Sequence, residues 1–210
     1  MMPAPMSEIL RHIGDIFHKG GPVLWVLLAV SVLSVTLCFE RAVFWLGLHK
    51  AGRRAWVNKA IAKLKTGDLE GARTLAAGDT SLYAGVVDEL LAARLTDSTA
   101  IGLVEERRHQ IERFTGALST IITAAPLLGL LGTVTGIIRS FDVIGNASAV
   151  RDIPGVAQGV SEALLNTAAG LSVALMTLLP YVIFKAQSDR CLSNIEALAA
   201  AALQGRTKGG

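Results

Sequence analysis

Residues 125–136, APLLGLLGTVTG, lie in the middle of one of three long apolar runs, and these runs decide the fold. The runs cover residues 20–39, 114–138 and 163–184, and none of them contains a charged side chain. A helix needs about 20 residues to cross the roughly 30 Å of hydrocarbon in a bilayer. The sequence therefore predicts an all-α integral membrane protein with three long transmembrane helices.

Composition agrees with this prediction and argues against a nucleic-acid partner. Of the 210 residues, 51% are hydrophobic and 5% are aromatic, and a soluble domain of this length rarely gathers its apolar residues into three blocks. The formal net charge is +3, but Lys and Arg do not form a basic patch interleaved with aromatic residues. We therefore expect the lipid bilayer, and no nucleic acid, around the chain.

Basic residues indicate the orientation of the three runs, because the basic flank of a span is usually cytoplasmic. The connector between the second and third runs carries only Arg139 and Arg151, which is typical of the outer side. The other flanks place the N-terminus outside and the C-terminus inside; their basic residues are Arg11 and Lys19 before the first run, Arg41, Lys50, Arg53, Arg54 and Lys59 after it, Arg107, Arg108 and Arg113 before the second, and Lys185 and Arg190 after the third.

The first run is interpreted as a retained anchor rather than a cleaved signal peptide. Its 20 uncharged residues exceed the usual apolar core of about 7–15 residues, and no small-x-small cleavage site follows it. Cys38 lies inside this run and Cys191 lies just past the third, so both are predicted to be unpaired structural thiols.

The second run carries small residues at helical spacing. Three small-xxx-small pairs overlap here: Gly129 with Thr133, Gly132 with Gly136, and Gly136 with Ser140. This pattern lets two helix backbones approach closely. Pro126 removes one backbone hydrogen bond from the same helix, which is tolerated where protein or a wet cavity receives the freed carbonyl. We assign Pro126, Gly129, Gly132 and Gly136, with Gly170 of the third run, to helix packing. The Thr133 hydroxyl can bond back to its own helix or face a polar lumen.

The third run carries a polar stripe. At about 100° per residue, Glu162, Asn166, Gly170 and Thr177 share one face of a helix that begins near Pro154, and Thr167 lies on the adjacent face. Such a stripe is not expected to face lipid. Glu162 has two interpretations, the outer mouth of a polar path or a boundary residue in the headgroup region.

A single chain of three helices cannot enclose a pore, so we expect a ring formed by self-association. The second and third spans would line the inside, the first would face lipid, and the small-residue faces would be buried between subunits. Enzyme motifs are missing: the sequence has no Gly-x-Ser-x-Gly elbow, no His-Glu-x-x-His, no phosphate loop and no Cys-x-x-Cys. The sequence predicts neither an enzyme nor a cofactor.

These residues resemble the MotA/TolQ/ExbB proton channel family, in particular its ExbB and TolQ branch. The resemblance is carried by Glu40-Arg41 at the end of the first span, by residues 125–138 of the second, and by residues 154–157 and 162–171 of the third. It extends over all three spans and their order. The resemblance places the chain in a bacterial inner membrane, with the N-terminus in the periplasm.

The resemblance implies a homopentamer with a central pore, whose second and third spans surround the single transmembrane helices of an ExbD/TolR-type partner. That partner carries a transmembrane aspartate. Thr133 and Thr167 match the family's pore threonines, and Glu162 matches its third-span glutamate. The two hydroxyls, with water, would pass protons to and from the partner carboxylate, and Glu162 would tune the path. Asn166, assigned to the same pore lining, stands where many relatives have a small residue.

Proton flow would then drive motion of the partner, and the work would reach the outer membrane. In ExbB-like members it passes through a TonB-like protein to TonB-dependent transport, and in TolQ-like members it serves a Tol-Pal-like system in envelope integrity and division. The Glu40-Arg41 junction favours ExbB. A hypothesis of another class is a non-conducting membrane scaffold, in which the glycines only pack helices.

The complete sequence divides into seven segments. These are a periplasmic amphipathic segment (1–19), transmembrane helix 1 (20–40), a cytoplasmic helical region (41–113), transmembrane helix 2 (114–139), a periplasmic connector with the start of helix 3 (140–161), transmembrane helix 3 (162–185), and a cytoplasmic C-terminal helix and tail (186–210).

Helix breaks are predicted from turn residues within this division. We expect the first span to continue as a helix to about Lys65, with breaks at 66–68 and 78–80. We expect the last cytoplasmic helix to run from Thr99 unbroken into the second span, and the third span to continue to Leu203.

Overall fold

The computed structural model describes residues 20–48, 52–92, 96–145 and 153–209, which contain seven α-helices and no β-strand. The helices are α1 (Gly21–Leu48), α2 (Arg53–Lys65), α3 (Leu69–Ala77), α4 (Leu82–Ala92), α5 (Asp97–Ile111), α6 (Thr115–Gly145) and α7 (Ile153–Gly209). The amphipathic segment predicted at residues 7–19 lies outside the described residues.

Three of these helices are long and apolar enough to cross a bilayer, which confirms the prediction of an all-helical membrane protein. They are α1 with 28 residues, α6 with 31 and α7 with 57. Pro22 lies in the first turn of α1, where its missing N–H group costs no hydrogen bond.

The first of two compact units contains α1 to Phe39, α6 from Gly116 and α7 to Tyr181. Many of its small and polar residues are buried, including Ser34, Ser140 and Asn166, whereas most of its large apolar side chains are exposed. The exposed set includes Val32, Val35, Leu127, Leu130, Leu164, Leu175 and Leu179. A water-soluble unit would bury such side chains, and an apolar surface this extensive needs lipid or protein around it.

The second unit contains residues 40–115 and the part of α7 after Tyr181. It has a conventional apolar core, formed by Val57, Ala60, Leu64, Ala72, Ala76, Tyr83, Val86, Val87, Leu90, Ile111, Ile195 and Leu198. Gly205 of α7 contacts the Leu64 carbonyl of α2, and a Cβ atom at this position would overlap it. This close contact fixes the end of α7 against α2.

The predicted breaks between α2, α3 and α4 are confirmed. Gly67 adopts φ +75, a left-handed conformation that glycine reaches without steric cost, and Asp68 then caps α3 by accepting a hydrogen bond from the Gly71 N–H at 2.9 Å. The Lys63 ammonium and the Gly71 N–H lower the pKa of Asp68. The cap therefore stays ionised at neutral pH.

Two predicted continuous helices are interrupted. The helix expected to run to Lys65 ends at Leu48, and Gly52 with φ +90 precedes α2. The helix expected to run from Thr99 into the second span ends at Ile111, and Phe114 adopts φ +64. The prediction was wrong at both places, whereas the expected extension of the third span to Leu203 is confirmed by α7.

The break after Ile111 has a cause that lies far away in the sequence. The Ile111 carbonyl accepts hydrogen bonds from Arg41 Nη1 at 3.2 Å and from Ser188 Oγ at 3.5 Å. The Arg41 guanidinium also lies 5.7 Å from the centre of the Phe114 ring, and its side chain is 3% exposed. These contacts offset the roughly 1–2 kcal/mol that a left-handed conformation costs a residue with a Cβ atom.

We predict that Arg41→Met lowers the thermal stability of the purified chain. The variant keeps the apolar stem but removes the donor to a buried carbonyl, so the free energy of unfolding should fall by about 2 kcal/mol. Arg113→Met is the matched control. The Arg113 guanidinium lies 4.6 Å from the centre of the same Phe114 ring, but its side chain is exposed. Equal melting temperatures for the two variants in detergent would contradict this account.

Candidate functional site

The contact between α6 and α7 is the centre of the first unit. A Cβ atom added at Gly129 would lie 2.9 Å from the Asn166 carbonyl oxygen, and one at Gly136 would lie 2.8 Å from the Gly159 carbonyl oxygen. At Gly170 it would lie 2.5 Å from the carbonyl oxygen of Ala125. Backbones at these separations exclude any side chain, so the two helices can meet only through glycine.

One expectation about these glycines is wrong. The small-residue faces were expected to be buried between subunits, but α7 of the same chain already covers Gly129, Gly132 and Gly136. Small-xxx-small spacing specifies a close helix neighbour and does not say to which chain that neighbour belongs. Pro126 is partly buried, and α6 continues through it from Thr115 to Gly145.

Two threonine hydroxyls lie at this crossing. Thr167 Oγ1 donates to the Gly129 carbonyl of α6 at 3.3 Å, and Thr133, one turn further along α6, donates to the Leu130 carbonyl at 2.6 Å. Both side chains are partly exposed at the surface of the first unit. Each hydroxyl donates a hydrogen bond to a backbone carbonyl, and its oxygen still offers lone pairs as acceptors.

Asn166 lies deeper than the threonines. The residue is 0% exposed and packs against Gly132, where an added Cβ atom would overlap the Asn166 side chain. Neither its Nδ2 nor its Oδ1 has a hydrogen-bond partner among the described residues. The structure therefore places the amide inside the chain, between α6 and α7, and not on an accessible surface.

Glu162 is paired with Arg139. Arg139 Nη1 lies 2.8 Å from Oε1 and 2.9 Å from Oε2 of Glu162, and the side chain of Glu162 is 9% exposed against 52% for Arg139. The carboxylate also packs against Gly21, where an added Cβ atom would overlap Oε1 of Glu162. Gly21 has φ +64, a conformation that residues with a side chain rarely adopt. Three helix ends thus meet around one buried carboxylate.

The polar face of α7 continues to Thr177. A hydrogen bond of 2.6 Å joins Thr177 Oγ1 to Ser34 of α1, and both residues are buried. Glu162, Asn166, Gly170 and Thr177 therefore lie on one buried face of α7, which is covered by α6 and α1 of the same chain.

Sequence reasoning missed Arg139, Gly21 and Ser34 as partners of this face. One signal was available for Arg139: a connector that brings α6 and α7 together antiparallel places the end of one run beside the start of the next. No signal marked Gly21 or Ser34, because α1 is separated from α7 by more than 100 residues.

The chemistry available at this site is limited to hydroxyls, one amide and one ion pair. Among the described residues of the first unit, the carboxylates are Asp142 and Glu162, and both lie near the ends of their helices. No group of three His, Cys, Asp or Glu side chains in the described ranges could hold a metal ion.

Comparisons with known proteins relate the chain to one family. Residues 76–197 match the model of the MotA/TolQ/ExbB proton channel family. The chain is 36% identical to putative biopolymer transport protein ExbB-like 1 of Synechocystis, over 90% of this chain and 78% of that protein. It is 32% identical to biopolymer transport protein ExbB of Salmonella typhimurium, over 77% and 70%. It is 25% identical to Tol-Pal system protein TolQ of Haemophilus influenzae, over 80% and 81%.

We predict that Gly132→Ala destabilises the chain by about 2 kcal/mol, because the added methyl overlaps the Asn166 side chain. Gly145→Ala on the same helix is the matched control, since nothing lies within 4 Å of its added methyl. Asn166→Gly in the Gly132→Ala background should recover most of the loss. Melting temperatures in detergent measure all three, and an equal loss at Gly132 and Gly145 would refute the close contact.

We also predict that Arg139→Gln costs about 2 kcal/mol, because it leaves the buried Glu162 carboxylate without a cation. The double variant Arg139→Gln/Glu162→Gln should be more stable than Arg139→Gln alone, since no unpaired charge remains. A double-mutant cycle of melting temperatures tests this. Additive losses would show that the two side chains do not interact.

Proposed function

The chain belongs to the MotA/TolQ/ExbB proton channel family, and we propose that it is the proton-channel subunit of an ExbB-like, energy-transducing motor in the bacterial inner membrane. In this proposal the proton motive force acts through an ExbD/TolR-type partner and drives TonB-dependent transport across the outer membrane. The chain is a membrane protein with three helices able to span the bilayer.

The observation that carries the proposal is the pair of hydroxyls at the α6 and α7 crossing. Thr133 and Thr167 are partly exposed and keep acceptor lone pairs; Thr167 of α7 bonds to the Gly129 carbonyl of α6, and Thr133 lies one turn beyond Gly129 on α6. A hydroxyl next to water can accept one proton while releasing another. The partner's transmembrane aspartate supplies the titrating acid that this part of the chain lacks.

Glu162 and Asn166, the other two residues assigned to the path, are buried beneath the surface that carries the threonines. Glu162 is held by Arg139, so the pair presents a fixed dipole at one end of the helices. Asn166 is buried against Gly132 and supplies an amide dipole to the layer between Glu162 and the threonines. We propose that both tune the field along the path and that neither carries the proton itself.

The exposed apolar side chains of the first unit support assembly. Lipid covers only one side of a ring member, so part of this surface is proposed to face neighbouring subunits in a homopentamer with a central pore. The partner's single helix occupies that pore. The N-terminus is placed in the periplasm and the C-terminus in the cytoplasm, in agreement with the positive-inside bias.

A TolQ-like role in envelope integrity and division is the second candidate. It is favoured by the match to TolQ, whereas the ExbB and ExbB-like relatives match at higher identity. A non-conducting scaffold is the alternative from another class, and the glycine contacts within one chain agree with it as well. Measurements of proton flux and of genetic complementation distinguish the ExbB-like role, the TolQ-like role and the scaffold.

We predict that Thr133→Val and Thr167→Val lower proton flux about a hundredfold while the assembly stays intact. Valine keeps the shape and removes the hydroxyl. Thr135→Val is the matched control, because Thr135 lies on the same helix as Thr133, donates to backbone carbonyls of its own turn in the same way at 3.0 and 3.1 Å, and is not one of the two hydroxyls assigned to the path. Flux is measured with the partner in proteoliposomes under an imposed pH gradient. Unchanged flux in both variants would leave the scaffold as the better account.

We predict five copies of the chain with a small single-span protein in the complex extracted gently from source membranes. Native mass spectrometry gives the stoichiometry and identifies the companion. Rescue of TonB-dependent uptake in a strain lacking ExbB, without rescue of detergent resistance in a strain lacking TolQ, is expected for the ExbB-like role. The reverse pattern would assign the TolQ-like role, and a monomer under several detergents would refute the ring.

A further inference from the structure

A second site lies in the second unit, away from the proposed proton path. A cavity of about 490 Å³ is bordered by the end of α1, the start of α2, α4 and α7. Three arginines line it, Arg53, Arg54 and Arg190, together with the polar side chains of Tyr83, Gln187 and Asn194. None of the described residues that line it is acidic.

The positive charge of this cavity is only partly neutralised. Arg53 is ion-paired with Asp79, which does not line the cavity. Burial would raise the pKa of Asp79, but hydrogen bonds from Ser81 and Arg53 more than offset this and lower it, so Asp79 is ionised and balances one arginine. Arg53 Nε is buried and has no hydrogen-bond partner among the described residues.

A neighbouring cavity shares Arg54, Arg190 and Asn194 and adds Asp189, but that carboxylate lies 3.1 Å from the Lys185 ammonium. Arg54 and Arg190 are exposed, and neither forms a hydrogen bond or an ion pair with the described residues. Two arginines with unused forked donors border one recess, and guanidinium donors of this kind are suited to bind a phosphate group.

The start of α2 also favours the binding of an anion in this cavity. Gly52 precedes the helix and provides no side-chain cap, and Gly52, Arg53 and Arg54 all border the cavity. The first-turn amides of a 13-residue helix carry partial positive charge and favour an anion. The arginine side chains and the helix end therefore attract the same ligand chemistry.

The position of the cavity along α1 bears on the source of that ligand. Trp45 and Leu48 border it, and they follow the predicted end of the first span at residue 40 by about 8–12 Å of helix. The headgroup region of a bilayer extends roughly 5–8 Å beyond the hydrocarbon. Trp45 therefore lies at the outer limit of the headgroup region and Leu48 lies beyond it, so an anionic lipid headgroup can approach one side of the cavity and a soluble cytoplasmic phosphate compound the other.

We propose that this arginine-lined cavity is a binding site for a phosphate-bearing anion, with Arg54 and Arg190 as the recognising side chains. Arg53 holds the wall through Asp79, and Tyr83 and Asn194, which share a 3.4 Å hydrogen bond, complete it. This site is independent of the proposed proton path. It gives the cytoplasmic end of the chain a way to respond to lipid composition or to a soluble metabolite.

The test is a thermal titration of the full chain in zwitterionic detergent. Dioleoylphosphatidylglycerol is added in mixed micelles, with dioleoylphosphatidylcholine as the lipid control, and sodium pyrophosphate is added separately against sodium chloride of equal ionic strength. We expect a saturable rise in melting temperature of roughly 5 °C at a concentration a hundredfold above Kd. In Arg54→Gln/Arg190→Gln, Kd should rise at least about tenfold.

The matched control is Lys59→Gln/Lys65→Gln, which removes the same charge from exposed positions of α2 that do not line the cavity. Because Arg54 and Arg190 are exposed, their variant should melt like the parent chain without ligand. A shift with phosphatidylglycerol alone identifies a lipid headgroup, and a shift with pyrophosphate alone identifies a soluble anion. No shift with either, or the same loss in the lysine variant, overturns the proposal.

Discussion

The close approach of α6 and α7 through glycine is the constraint on which the first unit depends. At Gly129, Gly136 and Gly170 one backbone occupies the space where the other would carry a Cβ atom, and at Gly132 the Asn166 side chain occupies it. In a bilayer no hydrophobic effect drives helices together, so packing at short range must supply the attraction. Once the backbones touch, the polar face of α7 is covered, and the large apolar side chains point outward.

The same constraint explains how polar groups are tolerated in an apolar environment. Lipid offers no hydrogen-bond partner, and so Glu162 pairs with Arg139, Thr177 with Ser34, and Thr167 with the Gly129 carbonyl. Each pair joins two helices. The polar residues therefore specify which helices are neighbours, while the glycines set how near those neighbours come. Asn166 differs because its amide has no partner among the described residues, although it is fully buried.

The second unit follows the rules of a soluble protein. It buries apolar side chains, begins α3 and α5 with side-chain caps, and places its ion pairs at the edges. Arg41 is the exception, since a guanidinium that is almost completely buried holds the Ile111 carbonyl and the Phe114 ring. The resemblance to the ExbB and TolQ branch includes the Glu40-Arg41 pair. In the structure Arg41 stabilises the break between α5 and α6 through these two contacts.

By itself, the sequence determined the number of spanning helices, their apolar surfaces, the breaks at Gly67 and Gly78 and the small-residue stripe of α6, because these depend on neighbours within one or two helical turns. The family resemblance also followed from contiguous motifs. The fold in three dimensions is needed to see that α7 of the same chain covers those glycines, that Arg139 pairs with Glu162, and that a helix ends at Ile111. The physical reason is that these features depend on contacts between residues distant in the chain: Arg41 reaches across 70 positions to the Ile111 carbonyl. Local patterns carry no record of such partners.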